Sequence, residues 1–218
     1  PAPPARPTVP LAASTLLTHA RNEPRLGAEI AAEIESADSV DMLVSFIKWH
    51  GWRRLRDAFE GFARAGKKLR VLTTTYMGAT DREALDAIAR LPGAEVRVSF
   101  DARRTRLHAK AWLFHRATGF SSVYVGSANV SSAALSDGIE WNLKASEVES
   151  RAIVEKFRGA FASLWEDGEF EPYHPDQADV VRRLTAALSS ERKEARAETS
   201  FFFDLRPYEY QRAILEKL

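Results

Sequence analysis

Apolar residues along the chain fall into short blocks that alternate between two periods. SVDMLVSFI (39–47) and KLRVLTTTY (68–76) are apolar runs of strand length with polar borders, which predicts buried strands. AEVRVSF (94–100) alternates as a half-buried strand does. LHAKAWLF (107–114) and SSVYVGS (121–127) predict two strands around a turn near Gly119, and IEWNLKAS (139–146) predicts another. Helical spacing fills the gaps. Leu26, Ile30 and Ile34 predict a helix over about 25–35, and Leu55, Phe59 and Phe62 predict one over 52–66 that closes at Gly66. DREALDAIARLPG (81–93) predicts a helix ended by Pro-Gly. Ser146, with Glu149 placed to complete a capping box, opens a long helix that reaches about Trp165. Strands alternating with helices argue an α/β fold with a mixed sheet sandwiched between helices.

Three stretches lie outside that rhythm. Residues 1–13, PAPPARPTVPLAA, are Pro/Ala-rich and read as a linker or mobile arm. Residues 167–177 read as loop. Residues 178–198 are helical and highly charged, with Val181, Leu184 and Leu188 as their sparse apolar stripe, and read as an exposed connector.

Composition narrows the class. Of the 218 residues, 45% are apolar, enough for a sizeable core, and 28% are charged. A net charge of +1 means that any nucleic-acid footprint is a local patch. The absence of cysteine removes disulfides and thiolate zinc sites and fits a reducing, cytoplasmic setting. No long apolar run or signal segment indicates a membrane span or export. A start at Pro1 and a stop at Leu218 within a helical pattern suggest a fragment of a longer protein.

The chemistry concentrates in RLHAKAWLFHRATGFSSVYVGSANVSSAALSDGIEWNLKAS (106–146). Strand residues at i and i+2 share a face, so His108, Lys110 and Trp112 point one way. Gly126-Ser127-Ala128-Asn129 turns sharply after the next strand, and the glycine lets backbone approach a phosphate. Glu140 and Asn142 share a face of the strand after that. Imidazole, ammonium, amide, hydroxyl and carboxylate on one surface suit phosphoryl transfer through a covalent intermediate. Imidazole serves as nucleophile, lysine and amide hold the non-bridging oxygens, and the carboxylate orients the ring.

His108-x-Lys110, then Gly126-Ser127-x-Asn129, then Glu140 resembles the HKD motif of the phospholipase D superfamily, most closely its small nuclease-like members, over roughly residues 25–165. The resemblance implies that His108 is the nucleophile, that Lys110 and Asn129 bind phosphate, that Ser127 helps position it, and that Glu140 supports the histidine. One departure is plain: the motif expects aspartate five residues after the lysine, and His115 stands there. Strand alternation turns residue 115 away from His108, so the change bears on support of the strand more than on chemistry. A second, shorter resemblance lies in FDLRPYEYQRAILEKL (203–218), which looks like the segment that opens superfamily 2 helicase motors. The wording of LTTTYMGATD and GIEWN is similar to that of helicase-linked domains as well.

The chain then divides into a Pro/Ala-rich arm (1–20), a phospholipase D-like catalytic domain (21–177), a charged helical connector (178–202) and the start of a helicase motor (203–218). One half-site cannot finish the reaction, because a second group must protonate the leaving oxygen. A two-fold homodimer would supply a second His108, with no metal and no cofactor. The expected partner is DNA, with RNA as the other candidate. Arg103, Arg104 and Arg106, directly before the motif, are the expected phosphate contacts. The rival readings are an inactive HKD-like domain for DNA binding or dimerisation, which His115 favours, and a phospholipase, which the lack of an amphipathic segment disfavours.

Several features have plainer readings. GFARAGKK (61–68) imitates a P-loop, but helix precedes and strand follows, so Gly66 reads as a helix C-cap. Arg53, Arg54 and Arg56 read as a solvated face. Trp112 and Trp141 read as core rather than base-stacking platforms. His19, His50 and His174 lack companions at metal-ligand spacing.

Overall fold

The computed structural model describes residues 5–100 and 107–201, with side chains described up to residue 195. Its centre is one mixed sheet of eight strands among the described residues, in the order β1-β7-β6-β5-β2-β3-β4-β8. β2 (Ser39–Val44), β3 (Lys68–Thr74) and β4 (Ala94–Ser99) run parallel. β5 (Lys110–His115), β6 (Ser122–Gly126) and β7 (Asn142–Ser146) extend the sheet antiparallel from β2. β1 (Thr15–Leu17) and β8 (Phe170–Tyr173) close the two edges.

The period-2 alternation sorts side chains onto two faces. Val40, Met42, Val44, Trp112, Phe114 and Tyr124 enter the main core, against α1 (Leu26–Ser36), α2 (Trp49–Arg64), α3 (Arg82–Ala89) and the single turn α4 (Ser132–Leu135). Trp112 stacks between Phe59 and Phe114, with ring centroids 6.4 and 6.0 Å away. On the other face, Leu43, Leu72, Leu113 and Val123 meet α5 (Glu147–Trp165) through Val154, Phe161 and Trp165. The arrangement is the helix-covered mixed sheet that the alternating pattern predicts.

Local signals hold where they are local. Gly66 lies past the end of α2 at φ +72°, in the left-handed region a C-cap requires. The Ser146 hydroxyl accepts from the Glu149 N–H at 3.1 Å. The return half of the capping box is diverted, because the Glu149 carboxylate accepts from the Ser14 N–H at 2.7 Å.

Four elements depart from expectation. The arm docks: Thr8 and Val9 N–H groups donate to the buried Glu29 carboxylate at 2.7 and 3.1 Å, and Thr15–Leu17 pairs with β7. Fully buried Lys144 donates to the Val9 and Pro10 carbonyls at 3.0 and 3.1 Å. Backbone held by buried charges leaves no hydrophobic period to read. β8 occupies the expected loop and contains Pro172, which an edge strand tolerates because one side needs no ladder donor. α2 begins at Trp49, three residues before the apolar period, because the Trp49 N–H donates to the distant Asp81 carboxylate at 3.0 Å. α6 (Ala178–Phe201) is no free connector: Leu184 and Leu188 are buried, and Arg192 donates to the Gly78 carbonyl at 2.7 Å. The helicase-like segment 203–218 lies outside the described residues, as do Arg103, Arg104 and Arg106.

Candidate active site

The parallel strands β2, β3 and β4 end at one rim of the sheet. There β5 and β7 begin and β6 ends, so the first and last residues of neighbouring strands converge. Val44 pairs with Lys110, and Gly126 with Asn142. The register Ala111↔Val125, carried one step on, sets Lys110 opposite Gly126. Lys110, Gly126 and Asn142 therefore form one row across three strands, on the face that Trp112 also takes. Carboxyl ends of strands are where open α/β sheets place ligands.

Lys110 is buried. Its ammonium donates to the His108 carbonyl at 2.6 Å and to the Ser45 hydroxyl at 3.3 Å. Burial lowers its pKa from the ordinary lysine value, and the negative charge of Glu140 works against that shift. His108 precedes the first strand residue and is exposed. Its ring makes no hydrogen bond with the described residues. Asn129 is buried, and its Oδ1 accepts from the Phe46 N–H at 3.2 Å, which ties the turn after β6 to the end of β2. Ile47 and Val130 continue that tie as a parallel bridge.

Ser127 and Glu140 form a second pair. The Ser127 hydroxyl donates to the Glu140 carboxylate and accepts from the Trp141 N–H at 3.1 Å. Glu140 thus contacts the serine rather than the His108 ring. Gly126 is required by close approach: a Cβ there would lie 2.2 Å from the Trp141 carbonyl and 2.4 Å from Asn142 Oδ1. The Asn142 side chain accordingly leans over the glycine, into the row that ends at Lys110. Its Nδ2 is buried with no hydrogen-bond partner among the described residues, an unusual state for an amide donor.

His115 lies on the opposite face, as strand parity requires. Its Nε2 meets the Asp41 carboxylate at 2.7 Å, and Arg70 grips the same carboxylate with two bonds of 2.7 Å. Burial pushes Asp41 upward, yet the hydrogen bonds from His115 and Arg70 outweigh it and hold the carboxyl below its usual value. Position 115 therefore supports β5 against β2 and does not face the row.

Ser45 and the unpartnered amide of Asn142 add to the residues singled out in the sequence. Ser45 has no pattern of its own and is found only through the contact between β2 and β5. Asn142 was legible as a strand neighbour of Glu140, but not as a donor left unpaired. Trp141 corrects an expectation. It is 60% exposed, because its parity on β7 is that of Leu143, which is itself exposed on the α5 side of the sheet, and not that of Asn142. Trp112 is core, as expected. Among the described residues no group of three or more His, Asp or Glu side chains converges as metal ligands would, and no described helix is long and apolar enough to cross a membrane.

Comparison with known proteins gives the family. Residues 30–165 match the family model described as "Cardiolipin synthase, PLD-like domain". No curated protein matches significantly. Among solved structures, NucT from Helicobacter pylori superposes with a TM-score of 0.58 at 17% identity, covering 74% of this chain and 99% of its own. Nuc from Salmonella typhimurium, described as a phospholipase D family member, gives 0.57 at 17% identity with the same coverage. Phosphatidylserine synthase from Haemophilus influenzae gives 0.55 at 12% identity, covering 87% of this chain and 46% of its own. At these identities the likeness is one of fold. The family match spans more than half the chain and contains every strand-end residue described above, and on that ground this protein belongs to the phospholipase D-like (PLD-like) domain family.

Proposed function

We propose that this protein is a metal-independent phosphodiesterase acting on nucleic acid, DNA first, through a phosphohistidine intermediate in a site completed by a second copy. The observation that carries the reading is the row at the strand ends. A buried ammonium and an amide on β5 and the β6 turn flank a glycine-opened gap, beside one exposed imidazole. Lys110 and Asn129 hold the non-bridging oxygens, Ser127 helps position the phosphate, and Glu140 favours the charged form of the groups around it.

In the first step His108 attacks phosphorus. A P–N bond forms, the P–O bond to the leaving nucleoside breaks, and the alkoxide takes a proton from the second copy's imidazolium. In the second step that imidazole, now neutral, takes a proton from water. The hydroxide attacks phosphorus, the P–N bond breaks, and His108 is restored. The donor set has one imidazole and one carboxylate per chain, a poor nest for a divalent cation.

A second copy is supported by apolar residues that α5 leaves exposed on the sheet face opposite the row. Leu16, Leu143 and Val125 are paired in register across β1, β7 and β6, all exposed by more than 40%. Trp141 and Ile139, which flank Glu140, extend that apolar strip. Contiguous apolar surface of this kind marks an interaction site. The helicase-like 203–218 motivates one further element of the reading: a motor in the same natural chain feeds DNA to this domain, in the cytoplasm, for repair or defence.

The rival reading, an inactive domain used for binding, rests on His115. That side chain turns to Asp41 on the other face, so its identity leaves the phosphate-facing row unchanged. A nuclease assay on DNA in excess EDTA tests the proposal. Cleavage retained in chelator and lost in His108→Ala is the expected result. Cleavage that vanishes with EDTA and returns with Mg²⁺ or Mn²⁺ contradicts the mechanism.

A further inference from the structure

The arginines of α2 form two chemically different groups. Arg56 and Arg64 both pair with Glu60, at 2.7 and 3.8 Å, and are solvated helix-face charges. Arg53 and Arg54 make no ion pair among the described residues. Both are exposed, and with His50 and Ser132 they line a hollow of about 530 Å³. Among the described residues no carboxylate and no apolar side chain lines it. Arg54 reaches across to donate to the Ser132 hydroxyl at 3.0 Å. On the other side of His50 the neighbouring hollow includes Asp81 and Glu83 beside Arg82 and Arg192, so among the described residues arginines without carboxylate neighbours are confined to the side that faces Ser132.

The hollow adjoins the phosphate row through the backbone. Gly51 seats the first turn of α2 so closely on the segment after Asn129 that a Cβ would lie 2.4 Å from the Val130 carbonyl. Asn129 and Ser132 are three residues apart, so their Cα atoms are separated by at most ~11 Å. We infer that the hollow lined by His50, Arg53 and Arg54 is a secondary phosphate subsite that holds the backbone of a single polynucleotide strand next to the phosphodiester being cleaved. The inference rests on the proposed reading of Asn129 as a phosphate ligand. A polynucleotide fits better than a lipid headgroup because it repeats its phosphates along one chain, and the hollow sets two neighbouring arginines beside each other to meet them. Two guanidiniums with no ion pair among the described residues suit bidentate phosphate contacts.

The test is binding of a fluorescein-labelled single-stranded oligodeoxynucleotide of about thirty nucleotides, followed by anisotropy on the full chain with His108→Ala as parent to prevent cleavage. Adding Arg53→Ala and Arg54→Ala should weaken binding about tenfold or more. The slope of log K against log salt should fall by about 1.4, roughly 0.7 for each lost contact to a single strand. Arg56→Ala with Arg64→Ala removes the same formal charge from the same helix and should weaken binding less than twofold. Arg53→Lys with Arg54→Lys should recover most of the affinity and the salt slope. No measurable binding by the parent, equal weakening by the two alanine pairs, or no weakening by either overturns the inference. So does preference for phosphatidylserine vesicles over the oligonucleotide, lost in the Arg53/Arg54 variant. The nuclease reading fails differently, by absence of turnover in the wild-type chain, and the binding comparison is independent of turnover.

Discussion

At the scale of single residues, the proposed site separates groups that would face phosphate from groups that brace the sheet, and substitution should reveal that division. His108→Ala should reduce turnover by about three orders of magnitude or more, as loss of a nucleophile does, with binding largely intact because Lys110 and Asn129 remain. His115→Ala should cost less than tenfold, since its ring meets Asp41 on the far face. Steady-state cleavage rates, with folding checked by circular dichroism, compare the two; equal losses would mean that the assigned strand register is wrong. Lys110 adds a pH signature. Burial lowers its pKa and Glu140 opposes the shift. The ammonium is therefore lost at a lower pH than an ordinary lysine's, and phosphate affinity declines along that alkaline limb. Glu140→Gln removes the opposing charge, so the limb of kcat/KM should move further toward neutral pH while the rate at the optimum falls. A limb displaced toward higher pH would contradict the assignment.

At the scale of elements, strand ends meet because glycine lets them. Gly126→Ala puts a Cβ against the Trp141 carbonyl and Asn142 Oδ1, so β7 must shift. The cost should be about 1–3 kcal/mol in a denaturant titration, as overpacking against backbone usually gives. The Asp41–His115–Arg70 cluster ties β5, β2 and β3 together and contributes to the acid response. Asp41 has a folded pKa below its ordinary value of 3.8, so its stabilisation is complete above that value and is lost as pH falls below about 4. Urea unfolding between pH 6 and 3 should show that loss, and Asp41→Asn should make it shallower and cost about 2 kcal/mol at pH 6. The elements also show what a sequence can carry. The inner strands and the helices α1, α2, α3 and α5 were legible because each has its own period. The row of Lys110, Gly126 and Asn142 was half legible: alternation gives the face, but not the register that aligns three strands. β1, β8 and the start of α2 were not legible, because sheet-edge pairing and the Asp81 cap come from residues distant in sequence. The sparse stripe of α6 concealed that Leu184 and Leu188 join the main core and that Arg192 ties the helix to the Tyr76–Gly78 turn.

At the scale of the whole molecule, the account requires two copies. In the proposed dimer, the exposed strip of Leu16, Leu143, Val125 and Trp141 is the apolar surface that a two-fold partner would cover. Sedimentation should report a dimer, and Leu143→Asp should produce a folded monomer with cleavage reduced at least about a hundredfold. Retained cleavage by such a monomer would remove the second copy from the mechanism. The most direct test of the central claim is mass spectrometry of the protein quenched in alkali during turnover of an oligonucleotide, conditions that preserve a phosphoramidate. The account predicts a nucleotide-phosphate adduct on the peptide containing His108, absent from His108→Ala. Steady turnover with no adduct at any time, or turnover that persists in His108→Ala, would contradict it.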